Sequence, residues 1–494
     1  MKFGASGESH TPDALHPSTS PRKQGEVKEG FLSMKIDTQL RPADLMPAIR
    51  RLWEASAAKI DSIDRTMDRS KGAPVHTVKG RYQPRGWTDW TQGFEFGSAV
   101  LQFDATGDKR FLDLAIERIR AEMPTHVTHF GVHDHGFNQI STYGNLRRLV
   151  LEGRIPRDPW QMEYIELALK CSGAVQARRW TELGGGFGFI QSFNGPHSLF
   201  IDTMRTLRAL ALAHKLGHVM KGEGDEVISM LGRLVAHART TAKYGVFYGE
   251  GRDIYDVRGR TAHEAIFDVA NGMFRCVGTQ QGYSGFSTWM RGLSWAATGY
   301  AELLEYIETV PEAELAQFGG KQEIVAMMER AGAATCDFYI DHTATDGIPY
   351  WDTGAPGLRD LGDVYARESE PENDIEPVDS SAAAIAAQGL LRFGAWRVAT
   401  KRSDAEKYTQ AGLTVLRTLL SDRYLSHDPN HQGLVLHSQY HRPNGWDYVS
   451  PGRNNPCGEA TMWGDYHMRE LAVYVQRRAE NKPYPTFFGS RGAR

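Results

Sequence analysis

Apolar residues recur at three- and four-residue spacing along most of the chain, beginning with PADLMPAIRRLWEASAAKIDSIDRT near residues 42–66, whose proline stands at the start, where a helix tolerates it. The same period predicts helices at about 90–104, 109–123, 136–151, 158–178, 198–217, 222–241, 286–308, 321–341, 379–399, 403–421 and 458–478, about twelve in all. Polar connections such as ATGDKR make successive helices antiparallel neighbours.

Two regions break this rhythm. Residues 244–283 alternate apolar and polar positions between Gly and Asp turns and predict short strands or hairpins. Residues 343–378 carry Gly, Pro and acidic residues and predict a long loop of the kind that often carries function. A weak two-helix periodicity favours one closed helical toroid over two domains. Residues 1–40 are expected to form a flexible N-terminal arm, and 41–494 a single domain.

Composition narrows the function classes. The 494 residues are 41% hydrophobic and 24% charged, ordinary for a globular chain with a substantial core. With 57 basic and 60 acidic residues and no basic cluster interleaved with aromatics, nucleic acid is not an expected partner. The four cysteines, Cys171, Cys276, Cys336 and Cys457, form no CxxC pair and point to reduced thiols. The first forty residues hold no apolar stretch suited to a signal-peptide core or membrane span, so a cytoplasmic protein without membrane partners is expected.

Three groups of residues carry candidate chemistry. QGYSGFSTWMRGLSW places Gln281, Arg291 and Trp295 around a Ser- and Gly-rich lead into a helix. If the helix starts at Ser287, then Ser287, Arg291 and Trp295 share a face, and the guanidinium and indole suit an acidic sugar. The competing reading makes the tryptophans core residues and gives Arg291 a structural acid as partner. In THVTHFGVHDHGFNQISTYGN, four histidines, His126, His129, His133 and His135, surround Asp134. They read as metal ligands, or Asp134 reads as a helix cap, or as one of a carboxylate pair. Its partner would be Asp202, an acid inside the apolar run HSLFIDTMRTLRALALAHKLG, where burial raises the pKa; Arg205 is the rival partner for it.

With these residues in hand, the chain resembles the unsaturated glucuronyl hydrolases of glycoside hydrolase family 88 and, less closely, the unsaturated rhamnogalacturonyl hydrolases. The matching segments, in family order, are WTQGFEFGSAVLQFDATGDKRFL, HDHGF, FIDTMRTL, TQQGYSGFSTWMRGLSW, PYWD, DSSAAAIAAQGLL and WGDYHMRELA, spanning about 90–475. The resemblance implies an all-α (α/α)6 toroid, a six-hairpin barrel, with short β-hairpin insertions. It implies Asp202 as catalytic acid and base, Asp134 as the second pocket aspartate, and Trp90, His263, Gln281, Arg291 and Trp295 as substrate-binding positions. No cofactor or metal is implied. The chain departs from the family pattern at Gly285 and Phe286, where acids are usual, at His135, in the Leu293–Ser294 pair, and in an apparent extra loop, LGGGFGFIQSFNGP.

The chemistry so implied is hydration. Lyases leave a C4=C5 double bond on the non-reducing uronate of an oligosaccharide, and protonated Asp202 is expected to deliver its proton to C4, with Asp134 ionised beside it. Another toroid enzyme, an epimerase or lyase working through His133 and His263, and a catalytically silent sugar-binding protein are the other readings.

Overall fold

Helices of two kinds alternate through residues 34–489, which the computed structural model describes. In chain order the main ones are α1 (Met46–Thr66), α2 (Gln92–Thr106), α3 (Lys109–Glu122), α4 (His135–Gln139, continuing through a π-helical turn Ile140–Gly144 into Asn145–Leu151) and α5 (Pro159–Arg178). There follow α6 (Thr203–Thr206 continuing as Arg208–Lys215), α7 (Met230–Tyr244), α8 (Met290–Ile307), α9 (Lys321–Asp341), α10 (Ser380–Ala399), α11 (Ala405–Leu419) and α12 (Met462–Ala479). The even-numbered helices are buried nearly all round; every residue of α8 is inside. The odd-numbered ones bury one stripe, as α1 does with Ile49, Leu52, Ile60 and Ile63, and leave the other face to water.

Glycines set the inner helices close together. A Cβ on Gly93 would lie 2.4 Å from Asn138, joining α2 to α4, and one on Gly136 would lie 2.4 Å from Thr206, joining α4 to α6. Gly299 meets Met204, Gly389 meets Thr298, Gly464 meets Ser381 and Gly97 meets Tyr466, which carries the contacts through α8, α10 and α12 back to α2. The six inner helices therefore close into a ring inside six outer ones, the (α/α)6 barrel. On the barrel axis sits an ionic knot: Arg205 donates to Glu302 (3.1 Å) and Glu470 (2.8 Å), all three buried. Each charge there is matched by hydrogen-bonded opposites, the condition under which buried ions persist.

The strands are short. β1 (Ala73–Val78) pairs with β2 (Arg81–Arg85), β3 (Trp180–Gly184) with β4 (Phe187–Ile190), and β6 (Val219–Lys221) with β7 (Val227–Ser229). β5 (Ser198–Phe200), β8 (Glu264–Phe267) and β9 (Phe274–Gly278) form one antiparallel sheet in the order β5-β8-β9.

Several expectations are corrected by these elements. The helix expected at 198–217 starts at Thr203, because residues 198–200 pair with β8 instead. The helix expected at 222–241 starts at Met230, capped by Ser229, whose hydroxyl accepts from the Gly232 amide (3.0 Å); the residues before it form the β6–β7 hairpin, which turns at Gly224 with φ 62°. The apparent extra loop at 183–196 is largely the β3–β4 hairpin. The α8 helix begins at Met290, so Ser287 lies outside it. Of the arm expected over 1–40, residues 34–40 are fastened to the barrel: the Met34 amide donates to Ile340 O, that of Lys35 to Thr345 O, and that of Asp37 to the Thr414 hydroxyl. Residues 1–33 lie outside the described residues.

Candidate active site

Strand pairing assembles half of the site. The β5–β8 ladder ends with the Ile201 amide donating to His263 O (2.9 Å), so Asp202 and His263 leave the sheet side by side. The β8–β9 hairpin returns the chain to the same edge, where the amide of Gln280 donates to His263 Nδ1 (2.9 Å). Because Nδ1 accepts, the neutral ring carries its proton on Nε2. Burial pushes the His263 pKa down to about 4, so the ring is neutral near pH 7, and Nε2 is buried without a hydrogen-bond partner.

The second half comes from α4. Asp134 stands at its N-terminus, yet its carboxylate caps no amide; only its carbonyl accepts, from the amides of Phe137 and Asn138. The capping alternative is thereby set aside. Gly136 allows the start of α4 to lie on the Thr206 backbone, which carries Asp134 up to Asp202. Both aspartates converge on His133, whose Nε2 is 3.7 Å from Asp134 Oδ1 and 3.7 Å from Asp202 Oδ1. The two carboxylates are thus within twice that distance of each other. All three side chains are buried, Asp202 being 7% exposed, and Asp134 Oδ2, Asp202 Oδ1 and both His133 nitrogens lack hydrogen-bond partners. A cluster of unsatisfied buried polar atoms is expensive unless something arrives to satisfy it.

The electrostatics correct the expected proton placement. Burial pushes the Asp202 carboxyl up, but His133 and His263 beside it outweigh that and hold it below the ordinary value. Burial pushes Asp134 up to about 6, the His133 charge only partly opposing it. Burial also disfavours the His133 imidazolium, but Asp134 and Asp202 more than offset this and raise its pKa. Near neutral pH a proton therefore rests on His133, Asp134 is ionised above about 6, and Asp202 is ionised rather than protonated as burial alone would have it. The rival partner for Asp202 is also excluded: Arg205 is taken up by Glu302 and Glu470.

The other anticipated residues separate into two groups. Gln281 stays at the site, half-buried, its Oε1 accepting from Arg291 (3.1 Å). Trp90 is half-buried, stacked on Trp463 with centroids 4.9 Å apart and set edge-on to Phe94. Arg291 and Trp295 need correction as substrate contacts. Arg291 gives Nη1 to Asp379 (2.8 Å) and Gln439 O (2.6 Å), and Nη2 to Tyr440 O (2.7 Å) and Gln281, so the fork that would grip a carboxylate is spent on the protein. Trp295 is 2% exposed, covered by Phe137 and His467, and forms a wall behind the site, not an open platform. The histidines diverge: His135 pairs with Ser172 Oγ (2.6 Å) and His129 O (3.0 Å), while His133 alone turns to the aspartates.

His133 was anticipated as one of four histidines and, with His263, as a proton carrier in the epimerase or lyase reading, but not as the residue between the two aspartates; one contributor escaped sequence reasoning altogether. Phe193, on the segment after the β3–β4 hairpin, sets its ring edge-on to His133 with centroids 4.8 Å apart. Arg179 anchors that segment by donating to the carbonyls of Gln191 and Ser192.

The architecture is thus an (α/α)6 barrel whose inner helices bring two buried carboxylates to one histidine. No family model matches the chain. Among curated proteins it is 26% identical to an unsaturated glucuronyl hydrolase of Formosa agariphila over 394 residues, covering 77% of this chain and 78% of that protein. It is also 26% identical to one of Bacillus sp. strain GL1 over 403 residues, covering 79% and 87%. An unsaturated chondroitin disaccharide hydrolase of Streptococcus agalactiae matches at 22% over 404 residues, covering 80% and 84%. The crystal structure of the Bacillus sp. GL1 enzyme superimposes with a TM-score of 0.64 at 22% identity, over 90% of this chain and 99% of that one. That of an unsaturated glucuronyl hydrolase from Streptococcus agalactiae does so with 0.64 at 21%, over 95% and 100%. In sequence and in fold the chain is similar to unsaturated glucuronyl hydrolases.

Proposed function

We propose that the protein hydrolyses 4,5-unsaturated uronic acid from the non-reducing end of lyase-generated oligosaccharides by hydrating the C4=C5 double bond, with Asp202 and Asp134 as its catalytic carboxylates. The observation that carries this reading is the convergence of these two buried carboxylates on one histidine, each keeping an oxygen without a hydrogen-bond partner. A substrate that displaces the remaining water from Asp202 and adds its own carboxylate raises the pKa of every acid nearby. The proton held by His133 then moves to Asp202, 3.7 Å away, and Asp202 becomes the acid.

Asp202 gives that proton to C4. Positive charge develops at C5, stabilised by the ring oxygen, and water attacks there while the Asp202 carboxylate takes back the water's proton. The product is a hemiketal, which opens; the freed C1 then releases the remaining sugar, and a keto-uronate departs. Protons and bonds balance: one water is consumed, Asp202 ends protonated, and it returns that proton to His133 as the product leaves. His263 offers its Nε2–H as a donor at the reacting ring, and Asp134 accepts from sugar hydroxyls. Gln281 helps orient the ring with its amide, and Trp90 supplies an apolar surface at the wall. A cytoplasmic location belongs to this proposal and is in keeping with the four cysteines without a CxxC pair; no helix of the described residues is long and apolar enough to cross a membrane.

Loss of the ultraviolet absorbance of the conjugated double bond in lyase-treated oligosaccharides tests the reaction. Asp202→Asn should slow it about a hundred- to ten-thousand-fold, the scale of losing a general acid. Near-normal turnover in that variant rejects the assignment.

A further inference from the structure

Beside the site, two loops hold aromatic rings in water that the mechanism does not use. Tyr255 and Phe286 meet with centroids 5.2 Å apart and planes 42° from parallel, and each is half exposed, at 50% and 52%. Two large rings left open side by side mark a surface that something else covers.

The pair is built rather than incidental. Arg260, itself 3% exposed, donates Nη1 to Phe286 O (2.9 Å) and Nη2 to the Asp253 carboxylate (2.7 Å), tying the two loops together. The Tyr255 amide donates to the other oxygen of Asp253 (2.8 Å). On the other side, the turn before Phe286 is pinned by Asp352, which accepts from the Tyr283 amide (2.8 Å), and the Phe286 amide donates to Ser284 Oγ (3.1 Å). These bonds fix the backbone from which each ring projects.

Chain connectivity limits how far the ledge can lie from the site. Arg260 precedes His263 by three residues, about 10 Å of extended chain, and Phe286 follows Gln281 by five. That is a span the next sugars of a bound chain can bridge. The ledge's charged groups are already spent on each other, so it presents apolar ring faces and one phenol, the chemistry that suits the C–H face of a neutral pyranose. Phe286 also stands where the resembled family usually carries an acid, so the ledge is a property of this chain.

Resting on the function proposed above, we propose that Tyr255 and Phe286 form a platform for uncharged sugar residues beyond the first on the reducing-end side of the scissile linkage, which makes longer unsaturated oligosaccharides better substrates than disaccharides.

The test compares kcat/KM on an unsaturated disaccharide and an unsaturated tetrasaccharide from the same polymer, followed by absorbance, for the unaltered protein, Tyr255→Ala, Phe286→Ala and Phe286→Tyr. Each alanine variant should lose about three- to ten-fold on the tetrasaccharide, the scale of one aromatic contact, with the disaccharide unchanged. Phe286→Tyr should retain the preference. Equal losses on both substrates, or none on the tetrasaccharide, overturn the platform, as does a length-independent effect accompanied by conversion of a dimer to monomers, which would make a second copy the occupant. If the unaltered protein consumes neither substrate, the hydrolase reading itself falls and the platform with it; activity on both without length preference removes the platform alone.

Discussion

Replacing Gly136 by alanine should separate catalysis from fold, because this residue is where the two aspartates are brought together. Its Cβ would sit 2.4 Å from both Cα and O of Thr206, whereas ordinary contact begins at 3.4 Å. The start of α4 and the backbone of α6 must therefore move apart by 3.4 − 2.4 = 1.0 Å, and the obstacle is main chain, so no side-chain rotation relieves it. Overpacking of this kind costs about 1–3 kcal/mol, and the gain in helix propensity over glycine returns at most about 1 kcal/mol. The barrel should survive.

Catalysis should suffer far more. Asp134 lies two residues before Gly136 and Asp202 four before Thr206, so the displacement passes straight into the carboxylate pair and into His133 between them. A misplacement of 1 Å at reacting groups costs about a hundred-fold. The assay is kcat from the absorbance decrease, with thermal or urea unfolding alongside. Gly389→Ala is the matched control: its Cβ would meet the Thr298 amide at 2.9 Å, at the α8–α10 contact elsewhere in the ring. That variant should lose stability while retaining kcat. If Gly136→Ala keeps kcat within about three-fold, or Gly389→Ala loses as much, the claim that this helix contact sets the carboxylate geometry is refuted.

Other outcomes follow from the buried charges. Arg291→Met strands the buried Asp379 carboxylate and should destabilise the protein by about 3–5 kcal/mol; a raised KM with unaltered unfolding would instead restore Arg291 to substrate binding. Asp134 has a folded pKa raised from 3.8 to about 6, so its contribution is fully present below 3.8 and is lost as pH rises through 6. Asp134→Asn should thus gain on the order of 3 kcal/mol relative to the unaltered protein between pH 4 and 7 while losing turnover; a pH-independent difference in unfolding free energy contradicts this. His76, His126, His135, His263, His437 and His441 are held neutral by burial, each with its pKa pushed down to about 4. Their stabilisation is present above the unfolded value near 6.5 and lost as pH falls toward 4, so the midpoint urea concentration should drop across that window, and a flat profile would show that these rings are already charged in the folded state.

The helical ring was readable because its signal is local: a three- and four-residue apolar period marks a helix whatever it packs against, and ten of the twelve were placed nearly in register. The two misplaced starts, at 198 and 222, depend on other information. Ser198–Phe200 becomes a strand only because β8, more than sixty residues later, supplies its hydrogen bonds, and the 219–229 hairpin is decided by a left-handed Gly224 and a serine cap. The site divides in the same way. Asp134, Asp202 and His263 stand in recognisable segments and do converge. Arg291 misled because its four acceptors come from Asp379, Gln281 and the carbonyls of Gln439 and Tyr440, which meet only in the folded barrel. Proton placement was the least legible feature. Burial of Asp202 argues for a protonated acid, and the His133 ring, equidistant from both carboxylates, reverses that sign together with His263. In the mechanism proposed above, this reversal means that Asp202 becomes the acid only after an anionic, water-displacing sugar raises its pKa and draws the proton from His133.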